Sequence, residues 1–307
     1  MRILIVASGN HGQVAPFVTE QAEALRRAGC AVTLFEVKGR GMRSYLRNLK
    51  PLKAAIRTFH PDIVHAHYGL CGLLCTLQRR VPVVITYHGS DINLPRARCL
   101  SRLAMRRAAF NIFVSRRLMD KVRVNPGKAA VIPCGINLTD FPLNDKSEAR
   151  QRMGLKLDGH YVLFAGAFGN AVKNAPLAQA ACTGLPDVQL LELKGYTRSQ
   201  VALLMNACDC LLMTSFSEGS PQVTKEALAC NLPIVSVDVG DVAELIGGTA
   251  CGTIVPATPG AIAAALRVQL SSTRRTEGRN LVLARGIDNT SVANSIISHY
   301  TQILNTV

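Results

Sequence analysis

Short runs of aliphatic and β-branched residues recur along the chain, separated by longer stretches whose apolar residues fall three or four apart. Arg2–Ser8 (RILIVAS), Ala31–Val37, 62–68 (DIVHAHY), 82–87, 111–115 (NIFVS) and 130–133 read as strands. Their nearly continuous apolar character fits strands buried on both faces, as in a parallel sheet. The segment 16–29 has a proline near its start and a glycine at its end, the usual punctuation of a helix. Further helices are expected around 43–58 and at 71–80. A polar, charged stretch at 144–159 reads as a linker with a short helix. The pattern then restarts, with strands at 161–165, 188–193, Cys210–Met213, 233–237 and Gly252–Val255 and helices that include 222–230 and 260–271. In 290–305, Val292, Ile296, Ile297, Tyr300 and Ile303 share one face, which predicts a C-terminal helix packed on a domain already built. Strands alternating with helices predict an α/β chain of two doubly wound halves. The expected domains are 1–142, completed by the helix in 290–307, and 143–289.

The 307 residues suit two domains at roughly 150 residues each. With 48% hydrophobic and 18% charged residues, the chain is not disordered. No apolar run approaches the roughly 20 residues of a membrane span. The first apolar stretch, residues 3–7, is too short for the core of a secretory signal, so a cytoplasmic start is expected. In that setting the ten cysteines, scattered through apolar segments, read as reduced and mostly buried thiols.

Charge changes the picture more. The net charge is +15, and residues 1–142 hold 22 Lys and Arg against 7 Asp and Glu, whereas 143–307 hold 13 of each. Arg43, Arg47, Lys50, Lys53 and Arg57 interleave with Leu46, Leu49, Leu52 and Ile56 at helical spacing, an amphipathic basic segment. A second cluster runs from Arg96, Arg98, Arg102, Arg106 and Arg107 to Arg116 and Arg117. Three readings are open: a solvated face, an anionic membrane surface on the inner leaflet, or nucleic acid. Nucleic acid is the weakest, because no aromatic residues interleave with the arginines and Trp is absent.

Several chemistries lose support. The loop after the first strand reads S-G-N-H-G-Q, without the dinucleotide fingerprint, and no Walker lysine motif or G-x-S-x-G elbow is present. No D-x-D pair offers a metal handle, and His65 and His67 have no third ligand at zinc spacing. The stretch from Thr214 to Glu226, T-S-F-S-E-G-S-P-Q-V-T-K-E, is more informative. It follows a strand; Ser220 can cap a helix whose first residue is Pro221. Such a helix start favours phosphate. Glu226 reads either as an exposed helix acid or as a carboxylate that accepts hydrogen bonds from sugar hydroxyls.

E-G-S-P followed by K-E-A-L-A-C-N-L-P-I-V-S-V-D-V-G resembles the E-x7-E region of the GT-B retaining glycosyltransferases of family GT4. Glu218 and Glu226 match its two carboxylates. P-D-I-V-H-A-H (61–67), T-Y-H-G-S-D (86–91), V-I-P-C-G-I-N (131–137), V-L-F-A-G (162–166) with Lys173, and E-L-I (244–246) match in order, so the resemblance covers nearly the whole chain. It implies two Rossmann-like domains facing across a cleft, the C-terminal helix packing back on the first. It also implies transfer of a hexose or related sugar from a UDP- or GDP-linked donor to a glycan or lipid-linked acceptor. Anomeric configuration would be retained, with no metal and no cofactor.

Residue by residue, the resemblance gives Glu226 the ribose hydroxyls and Glu218 a hydroxyl of the donor sugar. Lys173 would offset charge on the departing diphosphate. Backbone amides around Gly219, Ser220, Pro221 and Gln222 would hold the terminal phosphate. Gly12 and Gly166 would let their loops approach the donor, and His88 would lie beside the transferring carbon. Apart from the resemblance, the place of His11 in the first loop puts it within reach of substrate. Three departures stand out: Ala167 where an arginine is usual, a short segment between Leu193 and Asp209, and Asn137 where an aspartate is usual. Ala167 and the short segment keep open a catalytically weak nucleotide-sugar-binding subunit that partners another transferase. A nucleotide-sugar 2-epimerase on the same fold would instead turn over donor without acceptor. The expected setting is cytoplasmic, peripheral on the inner membrane face, in bacterial surface polysaccharide synthesis, with no nucleic-acid partner.

Overall fold

The structure is a computed structural model that describes every residue except His11, Arg40, Thr273 and Val307, and only the backbone of Gly41 and Met42. Two compact units divide the chain: Met1–Gly135 with Asn289–Val307, and Ile136–Asp288.

The first unit is built on β1 (Arg2–Ser8), β2 (Ala31–Val37), β3 (Ile63–His67), β4 (Val83–Tyr87), β5 (Phe110–Phe113) and β6 (Ala129–Val131). They form one parallel sheet in the order β2-β1-β3-β4-β5-β6. Alternate residues of β1 feed two apolar layers, because successive strand side chains point to opposite faces. Ile3, Ile5 and Ala7 pack with Val18 and Leu25 of the helix Pro16–Arg27 and with Val292, Ile296 and Tyr300 of the helix Asn289–Leu304. Leu4 and Val6 join Leu52, Ile56 and Leu74 on the other face. The C-terminal helix therefore completes the first unit.

Two expected helices are shorter than their apolar spacing implies. The basic segment is split into Gly41–Arg47 and Leu49–Phe59 at Asn48. The Asn48 amide donates to the carbonyls of Lys38 (2.9 Å) and Ser44 (2.8 Å), which ties the break to the end of β2. Leu46 is consequently exposed, whereas Leu52 and Ile56 are buried. The helix after β3 is Gly69–Thr76 and stops short of Arg80. Buried Gln78 accepts from the amides of Arg80 (2.8 Å) and Val81 (3.0 Å) and donates to the Val81 carbonyl (2.6 Å). That side chain takes over backbone partners the helix would otherwise need.

The second unit contains β7 (His160–Phe164), β8 (Val188–Glu192), β9 (Cys210–Met213), β10 (Ile234–Val237) and β11 (Gly252–Val255), all parallel in the order β11-β10-β9-β7-β8. Only the helix Arg198–Ala207 lies between β8 and β9 among the described residues. The division falls after Gly135 instead of near 142, because Ile136 and Phe141 are fully buried in the second unit's core. The Ile136 amide also donates to the Ile287 carbonyl at 3.0 Å. At the amino end of β9, Asp209 takes both oxygens to Arg150 (3.1 Å), accepts from the Tyr161 amide (2.7 Å) and pairs with Lys146. All ten cysteines are free and eight are buried. No helix among the described residues is long and apolar enough to cross a membrane.

Candidate active site

In the second unit the chain runs from β7 to β8 on one side and returns to β9 on the other. The crevice beyond the carboxyl ends of β7 and β9 is thus a topological switch point, where doubly wound sheets bind ligands. The loop after β7 supplies Gly166 and Lys173; the loop after β9 supplies Glu218 to Pro221. The two loops are sewn together. Thr214 Oγ1 donates to the carbonyls of Lys173 (2.9 Å) and Asn174 (3.0 Å), and the Phe216 amide donates to the Val172 carbonyl (2.9 Å).

With its backbone fixed, Lys173 sends its stem across Gly166. A Cβ on Gly166 would lie 2.8 Å from Lys173 Cγ and 3.1 Å from Cδ, so only glycine leaves the lysine its path. Lys173 Nζ then reaches Glu218 Oε1 at 2.7 Å. The pair is largely shielded, with side-chain exposures of 20% and 16%, and water screens it less than a surface pair.

The helix that follows is Gln222–Ala229, with Pro221 as its cap in extended conformation. Ser220 is not the cap that the sequence implied. Its hydroxyl donates to Asp241 Oδ2 at 2.5 Å, a stronger acceptor brought in from beyond β10. Lys225, 1% exposed, donates to Gln222 Oε1 at 3.0 Å and steadies the first turn from below.

One turn into this helix, Glu226 Oε1 accepts from Arg198 Nη1 at 3.4 Å. Arg198 Nε also donates to Asp140 Oδ2 at 2.9 Å, and its guanidinium lies 4.7 Å over the Phe141 ring. Arg198 opens a helix capped by Thr197 and Gln200, each side chain bonding the other's backbone. A cation in a first helical turn opposes the helix dipole, and the two carboxylates offset this. Sequence reasoning missed Arg198, although T-R-S-Q carries a legible capping box.

Gly166, Lys173, Glu218, Pro221, Gln222 and Glu226 line one cavity of about 390 Å³, together with Gly195 and Tyr196. Six predicted donor-site residues from two chain segments, 166–173 and 218–226, thus meet in a pocket of small-ligand size. Gly219 and Ser220 belong to the adjoining loop. The pocket offers the start of a helix, a cation, and two carboxylates held by cations. Phosphate can take the first two and sugar hydroxyls the last.

The other two predicted residues, Gly12 and His88, lie in the first unit. Gly12 follows β1 with φ +90°, which favours glycine by conformation; open space surrounds the place a Cβ would take. His11 lies outside the described residues. His88 follows β4. Its Nε2 pairs with His67 Nδ1 at 2.9 Å, and its Nδ1 lies 3.6 Å from Cys134 Sγ. The rings of His65, His67 and His88 stack at 4.9 and 5.2 Å. His65 is held by Tyr300 and by Thr86 Oγ1 (2.7 Å), so its nitrogens serve the fold. Burial pushes the His67 pKa down to about 3 and lowers that of His65 as well. Buried Asp91 accepts from the amides of His88, Gly89 and Gly69 and fixes the turn that carries His88.

Residues 14–140 match the sequence family described as Glycosyltransferase Family 4, and residues 152–272 match Glycosyl transferases group 1. The chain belongs to glycosyltransferase family 4. One relative is TuaC of Bacillus subtilis (strain 168), a glycosyltransferase whose name assigns it to teichuronic acid biosynthesis. It is 30% identical over 248 residues, 71% of this chain and 63% of TuaC. The chain thus spans less than two thirds of that relative's length. Among solved structures, sucrose-phosphate synthase (tll1590) from Thermosynechococcus elongatus superposes with a TM-score of 0.86 at 19% identity, over 100% of both chains. Anabaena Alr3699/HepE in complex with UDP superposes at 0.77 and 17% identity, over 98% of this chain and 100% of that one. Both likenesses establish the GT-B fold.

Within this family, two departures acquire a structural setting. Ala167 leaves the loop after β7 without an arginine, and Glu192 Oε2 accepts from the next amide, Phe168, at 2.7 Å. Asn137 accepts from the Thr139 amide at 3.4 Å and caps a short turn.

Proposed function

We propose that this chain transfers a hexose or related sugar from a nucleotide-diphosphate sugar to a glycan or lipid-linked acceptor, with retention of configuration and without a metal. The observation that carries this is the cavity that unites Lys173, Glu218 and Glu226 with the start of the helix Gln222–Ala229. Glu226, oriented by Arg198, accepts the ribose hydroxyls. Amides of the helix start take the terminal phosphate. Lys173 lies where charge builds on the departing diphosphate and stabilises it electrostatically. Glu218, held by Lys173, accepts a sugar hydroxyl. Charge on the leaving group is thus met by a side chain and a helix end, and no protein carboxylate is needed as nucleophile.

UDP is the base-bearing half we favour, since Anabaena Alr3699/HepE was solved with UDP. The name of TuaC supports a polysaccharide product. The basic first unit supports work at an anionic membrane face, each cation near such a surface contributing about 1 kcal/mol. The test is proton NMR of the transfer product made in excess EDTA from an α-linked donor, read at the new anomeric centre. An α-linked product made in EDTA is expected. A β-linked product, or a requirement for a divalent ion, contradicts the mechanism.

A further inference from the structure

The sheet of the first unit carries a second concavity at its amino-terminal edge, the end opposite His88. A cavity of about 490 Å³ lies where the chain enters β4, β5 and β6, lined by Arg79, Arg80, Arg106, Arg107 and Lys128. An adjoining cavity of about 270 Å³ shares Gln78 and Arg80 with the first and adds Lys53 and Arg57. Neither lining contains an Asp or Glu. Among the described residues none of these seven cations is in an ion pair.

The walls are fixed although the charged ends are solvated. Buried Gln78 clamps the turn that presents Arg79 and Arg80, and Arg79 adopts φ +59° there. On the facing side, buried Asn111 donates to the carbonyls of Met105 (3.3 Å) and Lys128 (3.4 Å), joining the end of the helix Pro95–Arg107 to the entry of β6. Two helix carboxyl ends account for some basic residues here, since cations suit that pole. They do not account for seven cations around one hollow with no acid among them.

Five of the seven are arginines, whose planar fork matches phosphate oxygens two at a time. No aromatic side chain lines either cavity, so the site has nothing on which to stack a base. The hollow suits a compact ligand with several charges better than an extended strand. We propose that this double cavity binds a compact group of clustered phosphates, a free diphosphate or a bis-phosphate lipid headgroup. The inference is independent of the transferase reading, because its residues all lie in the other unit.

The test uses the full chain with pyrophosphate by calorimetry, and with vesicles by co-sedimentation. Vesicles are phosphatidylcholine alone, or phosphatidylcholine with about one-fifth cardiolipin, whose headgroup carries two phosphates. Arg80→Glu with Arg107→Glu should weaken binding about tenfold or more, and the charge-matched pair Arg43→Glu with Arg123→Glu by less than about threefold. All four positions are exposed, so folding is not at stake. Lys173→Ala, which alters the cavity of the second unit, should remove only the pyrophosphate bound there and leave intact the binding that Arg80→Glu with Arg107→Glu weakens. Pyrophosphate binding that follows the pattern identifies free diphosphate as the ligand; vesicle binding that follows it identifies a lipid headgroup. Failure of both probes, equal loss in the two charge-reversed pairs, or loss confined to Lys173→Ala overturns the proposal.

Discussion

Gly166→Ala is the sharpest probe of how the cavity of the second unit is assembled. The substitution adds one methyl group at a position whose backbone tolerates any residue. Its Cβ would stand 2.8 Å from Lys173 Cγ, 3.1 Å from Cδ and 3.2 Å from Cε. Ordinary carbon contacts begin near about 3.5 Å, so the lysine stem must retreat by roughly 0.7 Å or more. The backbone of Lys173 cannot follow, because Thr214 and Phe216 hold the loop. The displacement therefore passes to Nζ, which now sits 2.7 Å from Glu218. A catalytic group misplaced by about 1 Å costs on the order of 10²-fold in rate, or about 2.7 kcal/mol. Steady-state kcat at saturating donor is therefore expected to fall about a hundredfold in Gly166→Ala, with little change in the thermal melt. Gly169→Ala is the control: it lies in the same loop, and its Cβ would meet nothing within 4 Å. Wild-type kcat in Gly166→Ala, or an equal loss in Gly169→Ala, would refute the reasoning.

Arg198→Ala releases Glu226, and donor Kd is expected to rise about tenfold, equivalent to about 1.4 kcal/mol, with kcat little changed; titration calorimetry against kinetics separates the two. Asp209→Asn leaves Arg150, whose side chain is 6% exposed, without its carboxylate. Urea unfolding should show a loss of about 3–5 kcal/mol, and a loss under about 1 kcal/mol would mean the network is not structural. Burial pushes the His67 pKa from the ordinary 6.5 of a histidine down to about 3 in the folded chain. Between these values the unfolded chain holds a proton that the folded chain lacks. Stability is thus complete above about pH 6.5 and is lost as pH falls, by up to about 1.4 kcal/mol per pH unit. His67→Asn should flatten this acid limb; an unchanged slope in urea melts from neutral pH to about pH 5 rules the assignment out.

Much of the fold was legible because both sheets are parallel and buried on both faces. Strands β1, β2, β9 and β11 fall where their apolar runs begin and end. Helix ends were less legible, because side chains from elsewhere decide them. Asn48 breaks an unbroken apolar repeat, and Gln78 stops a helix four residues early. The site divides along the same line. Glu218 and Glu226 lie on one short stretch, so their spacing exposed them. Ser220 looked like a cap because its competitor, Asp241, is 21 residues away. Arg198 opens a legible capping box, but its role was hidden, since its carboxylates come from positions 28 and 58 residues distant. The H-x-H spacing put His65 and His67 on one face of β3, but not that His88 would extend their stack from the next strand.

The central claim is that the cavity of the second unit takes the nucleotide end of a sugar donor, with Glu226 on the ribose. Ligand-observed NMR of the purified chain against UDP-, GDP- and ADP-sugars, with Glu226→Ala beside it, tests this most directly. Saturation transfer to the ribose protons of the UDP series is expected in the wild type and should be lost in Glu226→Ala. Transfer that persists unchanged in the variant, or none from any nucleotide sugar, would contradict the claim.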